Sequence, residues 1–352
     1  MRKRVALLAG AAIIAALAAV VATAGVGSAA ETVNWSAQGT MPNAGTSTTP
    51  AMTNCNGITY MVWKGVDNDT RMFFSSLSGD GVWAPQQIVG GGGGTNTAPT
   101  VTCDWNEDIV VAWKGLGSDE HVWYTTAQVE SSVDQPIFPL QWSSQQVAGG
   151  ALTDLPPSLA VVPPGPGGTL YLGWKGTGGD TNVYISTLPS FTAGWQGLGA
   201  VPGVSTVRSP TLTVGLNLPF QTPFLSVVWP EAGSQALRYV EYVNGRWTGA
   251  VGLQGGSGAA PAVTEGPHDG FNPPDNLIAW QGSGSDTRIF YSVDQNGAGW
   301  QAQQLVTNGG PTTTGLATAD YVQCPNGICN LITAYVAWKG PQEQIEFVHG
   351  VY

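Results

Sequence analysis

The sequence after residue 30 consists of short apolar runs separated by polar, glycine-rich turns. Six times a tryptophan ends an apolar run, and a polar turn and a second apolar run follow it. These residues are Trp63, Trp113, Trp174, Trp229, Trp280 and Trp338, at intervals of 50, 61, 55, 51 and 58 residues. A unit of several short strands repeated at this period predicts a β-propeller.

The fifth copy shows the repeat unit as four short strands. They are predicted at residues 260–264, 276–281, 288–292 and 300–306, with Gly- and Pro-rich turns between them. In the other copies the second strand ends at the repeat tryptophan and the third carries aromatic residues. No stretch of residues 31–352 has a capped helical period. The sequence therefore predicts an all-β, six-bladed propeller with four-stranded blades.

The sixth copy lacks a fourth strand, because the sequence stops at Tyr352 directly after the third. A segment of the missing kind, Trp35-Ser-Ala-Gln-Gly, precedes the first full copy. We expect this N-terminal strand to complete the last blade beside the strand at residues 345–348. That pairing would close the ring and leave no lone sheet edge.

Residues 1–30 have the pattern of a signal peptide. Arg2, Lys3 and Arg4 precede an uncharged apolar stretch that ends in the small residues at 28–30. An uncleaved anchor is the alternative, since residues 5–26 are long enough to span a bilayer. We expect cleavage, which would leave residues 31–352 as a single propeller domain that is secreted and makes no membrane contact.

The charge of the chain argues against nucleic acid as a partner. The chain has 12 Lys and Arg against 23 Asp and Glu, and cleavage removes three basic and no acidic residues, which leaves a formal net charge of −14. Phosphate binding needs clustered Lys and Arg. The three histidines are too scattered for a zinc site, and the run Asp67-Asn68-Asp69 lacks the length of a calcium loop. We expect no metal and no cofactor.

Four cysteines in an exported chain favour disulfides. The Asn-Gly pair at 326–327 predicts a two-residue hairpin turn, which would place Cys324 and Cys329 opposite each other at a distance that a disulfide can bridge. Cys55 and Cys103 then remain, and their bond would join blade 1 to blade 2. The other two connectivities stay open.

The candidate chemistry lies at the turn between the second and third strands. Four copies have a Lys directly after the tryptophan, and four have an Asp six residues after it with a hydrogen-bond donor two residues later. An acid, a planar donor and an indole at one turn would suit a sugar. The predicted ligand-binding residues are Lys64, Asp69 and Arg71, then Lys114, Asp119 and His121, then Lys175, Asp180 and Asn182, and finally Asp286 and Arg288.

The alternative to ligand binding is that the same residues have only a structural role. A lysine stem can cover an aromatic ring while its ammonium pairs with an acid, and Asp commonly bonds its own backbone in turns. Blade 4 breaks the pattern with Trp229-Pro230-Glu231 and lacks both Lys and Asp, so we expect it not to bind.

The Trp-Lys-Gly…Asp…Tyr repeat resembles that of secreted bacterial propellers and, more loosely, of six-bladed fucose-binding lectins and sialidase-like propellers, over residues 31–352. The resemblance implies that the turn between the second and third strands lies on the same face as the links between blades, where ligands are usually held. It implies a carbohydrate-binding or surface-adhesion module with repeated weak sites. The partner would be a glycan or a cell-surface polysaccharide, and the protein a monomer.

Two other functions stay open. A sialidase-like site needs three converging arginines, but Arg71 and Arg288 are repeat equivalents four blades apart. Glu231 and Glu241 could supply the acids of another glycoside hydrolase, although we assign no catalytic residue. An apolar loop tip at residues 137–138 is typical of a protein contact, so a protein-binding scaffold is the third possibility.

Overall fold

The structure is a computed structural model of the chain. It describes residues 32–77, 81–129, 131–132, 135–136, 139–162, 168–217, 222–264, 276–294, 299–323 and 331–351. The leader at 1–30, the pair Cys324 and Cys329 and the loop tip at 137–138 lie outside these residues. In the described part of the chain, no helix has the length and apolar character needed to cross a membrane.

The described strands form six antiparallel blades, as predicted. The chain begins with β1 (Asn34–Trp35) and β2 (Gly39–Gly45), which belong to blade 6. Blade 1 contains β3 (Ala51–Cys55), β4 (Ile58–Lys64), β5 (Met72–Leu77) and β6 (Gln87–Ile88). Blade 2 contains β7 (Thr100–Cys103), β8 (Ile109–Lys114), β9 (His121–Gln128), β12 (Gln141–Trp142) and β13 (Gln146–Leu152), with a separate hairpin of β10 (Ser131–Ser132) and β11 (Gln135–Pro136).

The second half of the ring repeats this order. Blade 3 contains β14 (Ser158–Val162), β15 (Thr169–Lys175), β16 (Val183–Leu188) and β17 (Gln196–Ala200). Blade 4 contains β18 (Thr211–Asn217), β19 (Thr222–Pro230), β20 (Ala236–Val243), β21 (Arg246–Trp247) and β22 (Val251–Gly256). Blade 5 contains β23 (Ala262–Val263), β24 (Asn276–Gln281), β25 (Ile289–Asp294) and β26 (Gln304–Leu305). Blade 6 adds β27 (Leu316–Gln323), β28 (Leu331–Lys339) and β29 (Gln344–Val351).

The predicted closure of the ring is confirmed. In β1, Trp35 lies opposite Gly350 of β29, and in β2 Gly39 lies opposite Phe347. The N-terminal strands therefore supply the outer strand of blade 6. The innermost strands of the six blades also contact one another in a closed circle.

The second strand of each blade is buried because both of its faces pack against neighbouring blades. All seven residues of β4 are buried, and its sequence is rich in the β-branched and aromatic residues that suit a central strand. The repeat tryptophans are the next-to-last residues of these strands, and each is at most 8% exposed. They are core residues that fill the space between blades.

A second set of tryptophans joins each blade to the one before it. The third-strand residue Phe74 of blade 1 packs against Trp142 of blade 2, with ring centroids 5.4 Å apart. Tyr291 of blade 5 packs in the same way against Trp35, at 5.3 Å, which places β1 in blade 6 by packing as well as by pairing. Tyr124 packs against Trp195 and Phe347 against Trp83 in the same way. Trp247 and Trp300 pack against the hydrophobic clusters between blades 3 and 4 and between blades 4 and 5.

The predicted disulfide between Cys55 and Cys103 is confirmed. The two cysteines lie at the ends of β3 and β7, and their Cα atoms are 5.2 Å apart. The bond links the innermost strands of blades 1 and 2.

Candidate functional site

The turn between the second and third strands has the same backbone in four blades. In blade 1 the Gly65 N–H donates to the Arg71 carbonyl at 3.0 Å, and the Asp69 N–H donates to the Val66 carbonyl at 2.9 Å. The equivalents of the first bond are Gly115 to His121, Gly176 to Asn182 and Gly282 to Arg288, at 2.9–3.0 Å. The chain therefore presents residues 69 and 71 and their equivalents at the same place in these blades.

In blades 1 and 5 the predicted acid and donor form a forked ion pair. Asp69 accepts hydrogen bonds from Nε of Arg71 at 2.9 Å and from Nη2 at 2.6 Å, and also from the Arg71 backbone N–H at 3.0 Å. Asp286 and Arg288 repeat these contacts at 2.9, 2.7 and 3.1 Å. The planar guanidinium fits the carboxylate with two parallel bonds.

In blades 2 and 3 the acid also bonds an aromatic side chain. Asp119 lies 2.8 Å from Nδ1 of His121 and accepts a hydrogen bond from Nε1 of Trp123 at 2.8 Å. Asp180 accepts from the side-chain amide of Asn182 at 2.8 Å and from the Tyr184 hydroxyl at 2.9 Å. The four blades therefore contain two kinds of acid–donor pair.

These contacts keep the four carboxyl groups ionised. Hydrogen bonds from the Arg288 side chain and backbone lower the pKa of Asp286 to about 2, and the Arg71 side chain lowers the pKa of Asp69. The Asn182 backbone and the Tyr184 hydroxyl lower the pKa of Asp180. Burial acts to raise the pKa of Asp119, but hydrogen bonds from His121 and Trp123 lower it overall.

An aromatic ring lies beside each pair. In blade 1 the Arg71 guanidinium lies over the Phe73 ring at 5.2 Å, and Phe73 stacks on Trp63 with centroids 6.2 Å apart. Arg288 lies over Phe290 at the same 5.2 Å distance. The Arg71 and Arg288 side chains are still 61% and 65% exposed, so their remaining N–H groups face solvent.

The three predicted lysines lie inside the turn and not at its surface. Lys64 is 3% exposed, and its Nζ donates to the carbonyls of Gly65 at 3.1 Å and Asp67 at 2.9 Å and to the Ser47 hydroxyl at 2.7 Å. Lys114 and Lys175 make the equivalent bonds and are each 4% exposed. Burial lowers the pKa of Lys64, against the attraction of Asp69, Glu343 and Asp67. The structure thus separates the lysine ammonium groups from the exposed acid–donor pairs.

A repeated hydroxyl in the links between blades, which was not predicted from the sequence, supports these turns. The Thr95 N–H donates to the Thr70 carbonyl of blade 1 at 2.9 Å, and its hydroxyl donates to the Lys114 carbonyl of blade 2 at 2.8 Å. A Thr or Ser at the equivalent place in every link donates its N–H to the preceding blade. The signal is a Thr/Ser-x-x-x-Pro spacing in five links, which begin at Thr46, Thr95, Thr153, Thr206 and Ser257.

Blades 4 and 6 place different residues at the corresponding turn. Arg238 lies opposite Trp229, where blade 1 has Phe73, and its guanidinium forms an ion pair with Glu231, with Nε 2.9 Å from Oε1. Blade 4 therefore has an acid–guanidinium pair although it lacks the Lys and Asp of the repeat. In blade 6 Glu346 lies opposite Trp338 and accepts a hydrogen bond from its Nε1 at 2.8 Å, and this glutamate is buried.

Three of the arginines are divided among separate blades. Arg71, Arg238 and Arg288 are each paired with an acid of their own blade, on blades 1, 4 and 5. This arrangement differs from the three converging arginines of the sialidase pattern. Within the described part of the chain, no group of three or more His, Cys, Asp or Glu side chains could hold a metal ion.

Known structures share the fold at low sequence identity. The structure of AofleA from Arthrobotrys oligospora matches with a TM-score of 0.62 and 11% identity, covering 90% of this chain and 86% of that chain. The fucose-specific lectin from Aleuria aurantia also matches with a TM-score of 0.62, at 10% identity over 86% of this chain and 93% of that chain. A sialidase from Trypanosoma rangeli matches at 0.56 and 9% identity, over 87% and 55% of the two chains. No protein-family model matches the sequence, and neither does any curated protein.

Proposed function

We propose that this protein is a secreted, lectin-like propeller that binds carbohydrate through the acid–donor pairs of blades 1, 2, 3 and 5. The observation that carries the proposal is the exposed pair itself, repeated four times beside an aromatic ring. Structural similarity to fucose-binding propellers supports a carbohydrate ligand. Secretion follows from the leader pattern, and Glu31 is the first residue expected in protein recovered from the medium.

Sugar hydroxyls can bond both members of a pair at once. The Arg71 guanidinium has five N–H groups, of which two face Asp69, so the others can donate to hydroxyl oxygens. The exposed part of the Asp69 carboxylate can accept from a neighbouring hydroxyl. In blades 2 and 3 the half-buried rings of Trp123 and Tyr184 add an apolar contact. Several weak sites on one ring would bind a glycan-coated surface by avidity.

The test is a variant in which Asp69, Asp119, Asp180 and Asp286 are all replaced by Asn. Asn keeps the oxygen that accepts the backbone N–H of the turn and removes the charge. A glycan array first identifies a sugar for the unaltered protein, and titration calorimetry then compares the two proteins. We expect the variant to fold and lose binding.

Asp67→Asn is the matched control, because it removes one exposed carboxylate from the same turn without touching a pair. Unchanged affinity in the quadruple variant would leave the four aspartates as turn formers. Binding of a protein ligand, with no glycan bound on the array, would favour the scaffold alternative.

A further inference from the structure

Blades 4 and 6, which lack the aspartate of the repeat, each bond the turn of the next blade in the ring. In blade 4 the side-chain Oε1 of Gln235 accepts a hydrogen bond from the Gly284 N–H of blade 5 at 2.9 Å. In blade 6 the carboxylate Oε2 of Glu343 accepts one from the Asp67 N–H of blade 1 at 3.2 Å. The two bonds are equivalent, because Asp67 and Gly284 are each the fourth residue after the repeat tryptophan.

Gln235 and Glu343 also occupy the same place in their own blades. The backbone carbonyl of each accepts an N–H from the following link, at 2.9 and 2.7 Å, and each has the left-handed backbone, with φ of 59° and 64°. Neither the positive φ nor a bond to the next turn occurs at the equivalent residues of the other four blades, within the described ranges. These are Thr70, Glu120, Thr181 and Thr287. A left-handed backbone is costly for a residue with a Cβ and persists only where its surroundings hold it.

The turns that receive these two bonds are those with an Asp–Arg pair, in blades 1 and 5. In both, the bonded N–H lies two residues before the acid. The turns of blades 2 and 3 receive no bond of this kind in the part of the chain that the structure describes, and their acids accept instead from Trp123 and Tyr184. Phe73 and Phe290 lie at the position of those two rings and have no donor to offer. The preceding blade therefore supplies a support that the local aromatic residue cannot.

We propose that Gln235 and Glu343 are positioning residues for the glycan sites of blades 5 and 1. The inference rests on the proposed function. Each side chain holds the N–H in the middle of the turn and so fixes the segment that presents the acid and the guanidinium, which leaves less ordering for a bound sugar to impose. Neither side chain has to touch the sugar.

Blade 5 should depend more on its bond than blade 1. In blade 1 the Lys64 ammonium also holds the Asp67 carbonyl, at 2.9 Å. In blade 5 Gln281 replaces the lysine and donates to the Asp286 carbonyl instead. Among the described residues no side chain donates to the Gly284 carbonyl, so Gln235 is the main side-chain support of this part of the turn.

The test uses two proteins with one intact pair each, titrated by calorimetry with the glycan that gives the strongest signal on the array. Replacing Asp69, Asp119 and Asp180 by Asn leaves blade 5, and replacing Asp119, Asp180 and Asp286 leaves blade 1. In the blade 5 protein we expect Gln235→Ala to weaken binding about tenfold, as for the loss of one hydrogen bond, and Glu343→Ala to have no effect. In the blade 1 protein we expect the reverse, with a loss of about threefold in Glu343→Ala.

Gln235→Glu and Glu343→Gln keep an acceptor and should restore binding, which a general loss of stability would not predict. Hydrogen–deuterium exchange without sugar checks the bonds themselves: residues 282–288 should exchange faster in Gln235→Ala, and residues 65–71 in Glu343→Ala. Unchanged affinity, or an equal loss in both single-site proteins, would overturn this inference and leave the proposed function in place. If the unaltered protein bound no glycan, the proposed function would fall, and this inference with it.

Discussion

The glycine of the Trp-Lys-Gly motif is explained by the aspartate four residues later. A Cβ on Gly65 would lie 2.7 Å from Cγ of Asp69, and one on Gly282 would lie 2.6 Å from Cγ of Asp286. Blade 6 follows the same rule with another acid, because a Cβ on Gly340 would lie 2.6 Å from Cδ of Glu346. Blade 4 has Glu231 in place of the glycine and no Asp at the usual position.

Blade 3 offers a matched pair of substitutions that tests this dependence. In Gly176→Ala the new Cβ would lie 2.6 Å from Cγ of Asp180, whereas in Gly179→Ala it would meet nothing within 4 Å. We expect the first variant to lower the free energy of unfolding by about 1–3 kcal/mol, as overpacking does, and the second to have little effect. Urea denaturation measures both. Equal stabilities would show that the carboxylate moves away at no cost.

The buried lysines should contribute to stability through the carbonyls that they bond. Lys114→Met removes the donor for the Gly115 and Gly117 carbonyls, and we expect a loss of about 1–3 kcal/mol in the free energy of unfolding. Lys114→Gln should cost less, because Gln281 occupies this position in blade 5 and donates to the Asp286 carbonyl. Chemical denaturation compares the stabilities of the two variants. If Lys114→Met were as stable as the unaltered protein but had lost sugar binding, the result would support a ligand-binding role for the lysine.

At the scale of elements, the sequence predicted strand identity better than strand length. The second strand of blade 5 was predicted at 276–281 and is found there, because it is a continuous apolar run. Its first strand was predicted at 260–264 but forms only Ala262–Val263, since Pro261 has no N–H for the ladder. The fourth strand is also short, and Trp300 makes only an isolated bridge with Asp294.

The closing strand should be needed for a stable ring. Trp35→Ala removes the ring that packs against Tyr291 and leaves a cavity between blades 5 and 6. We expect a loss of about 3–5 kcal/mol in the free energy of unfolding, as for other buried aromatic residues. Thermal unfolding followed by tryptophan fluorescence checks it.

Deletion of residues 31–40 should have a larger effect than Trp35→Ala and cause aggregation through the exposed edge of β29. A soluble, monomeric deletion protein would contradict the role of this strand.

The disulfide between blades 1 and 2 should stabilise the fold through the unfolded chain. Cys55 and Cys103 are 48 residues apart, and closing such a loop contributes about 4 kcal/mol in the chain-entropy model. We expect the double Cys→Ser variant to have a free energy of unfolding that is lower by about this amount. Denaturation with and without reductant measures it, and the reduced unaltered protein should approach the variant. An unchanged unfolding midpoint would count against a stabilising role.

At the scale of the molecule, the local part of the site was predictable and the long-range part was not. Asp69 and Arg71 are two residues apart, so their pairing could be foreseen from the sequence. The location of Lys64 depends on Ser47, which lies 17 residues earlier in a link, and that contact needs the fold. Arg238 and Glu346 were missed because their position opposite a repeat tryptophan depends on strand register.

The pH range of glycan binding should follow the lowered pKa values of the acid–donor pairs. Each of these carboxyl groups has its pKa below the ordinary Asp value of 3.8, and that of Asp286 is about 2. When the pKa of a carboxyl group is lower in the folded protein than in the unfolded chain, its charged form stabilises the folded protein. This stabilisation is fully present at a pH above the ordinary pKa and is lost as the pH falls through the pKa of the folded protein. We therefore expect binding to persist from neutral pH to about 4 and to disappear toward pH 2. Calorimetry across this range measures it, with circular dichroism to confirm that the ring stays folded. Loss of binding between pH 6 and 5 would mean that groups other than these carboxylates control the site.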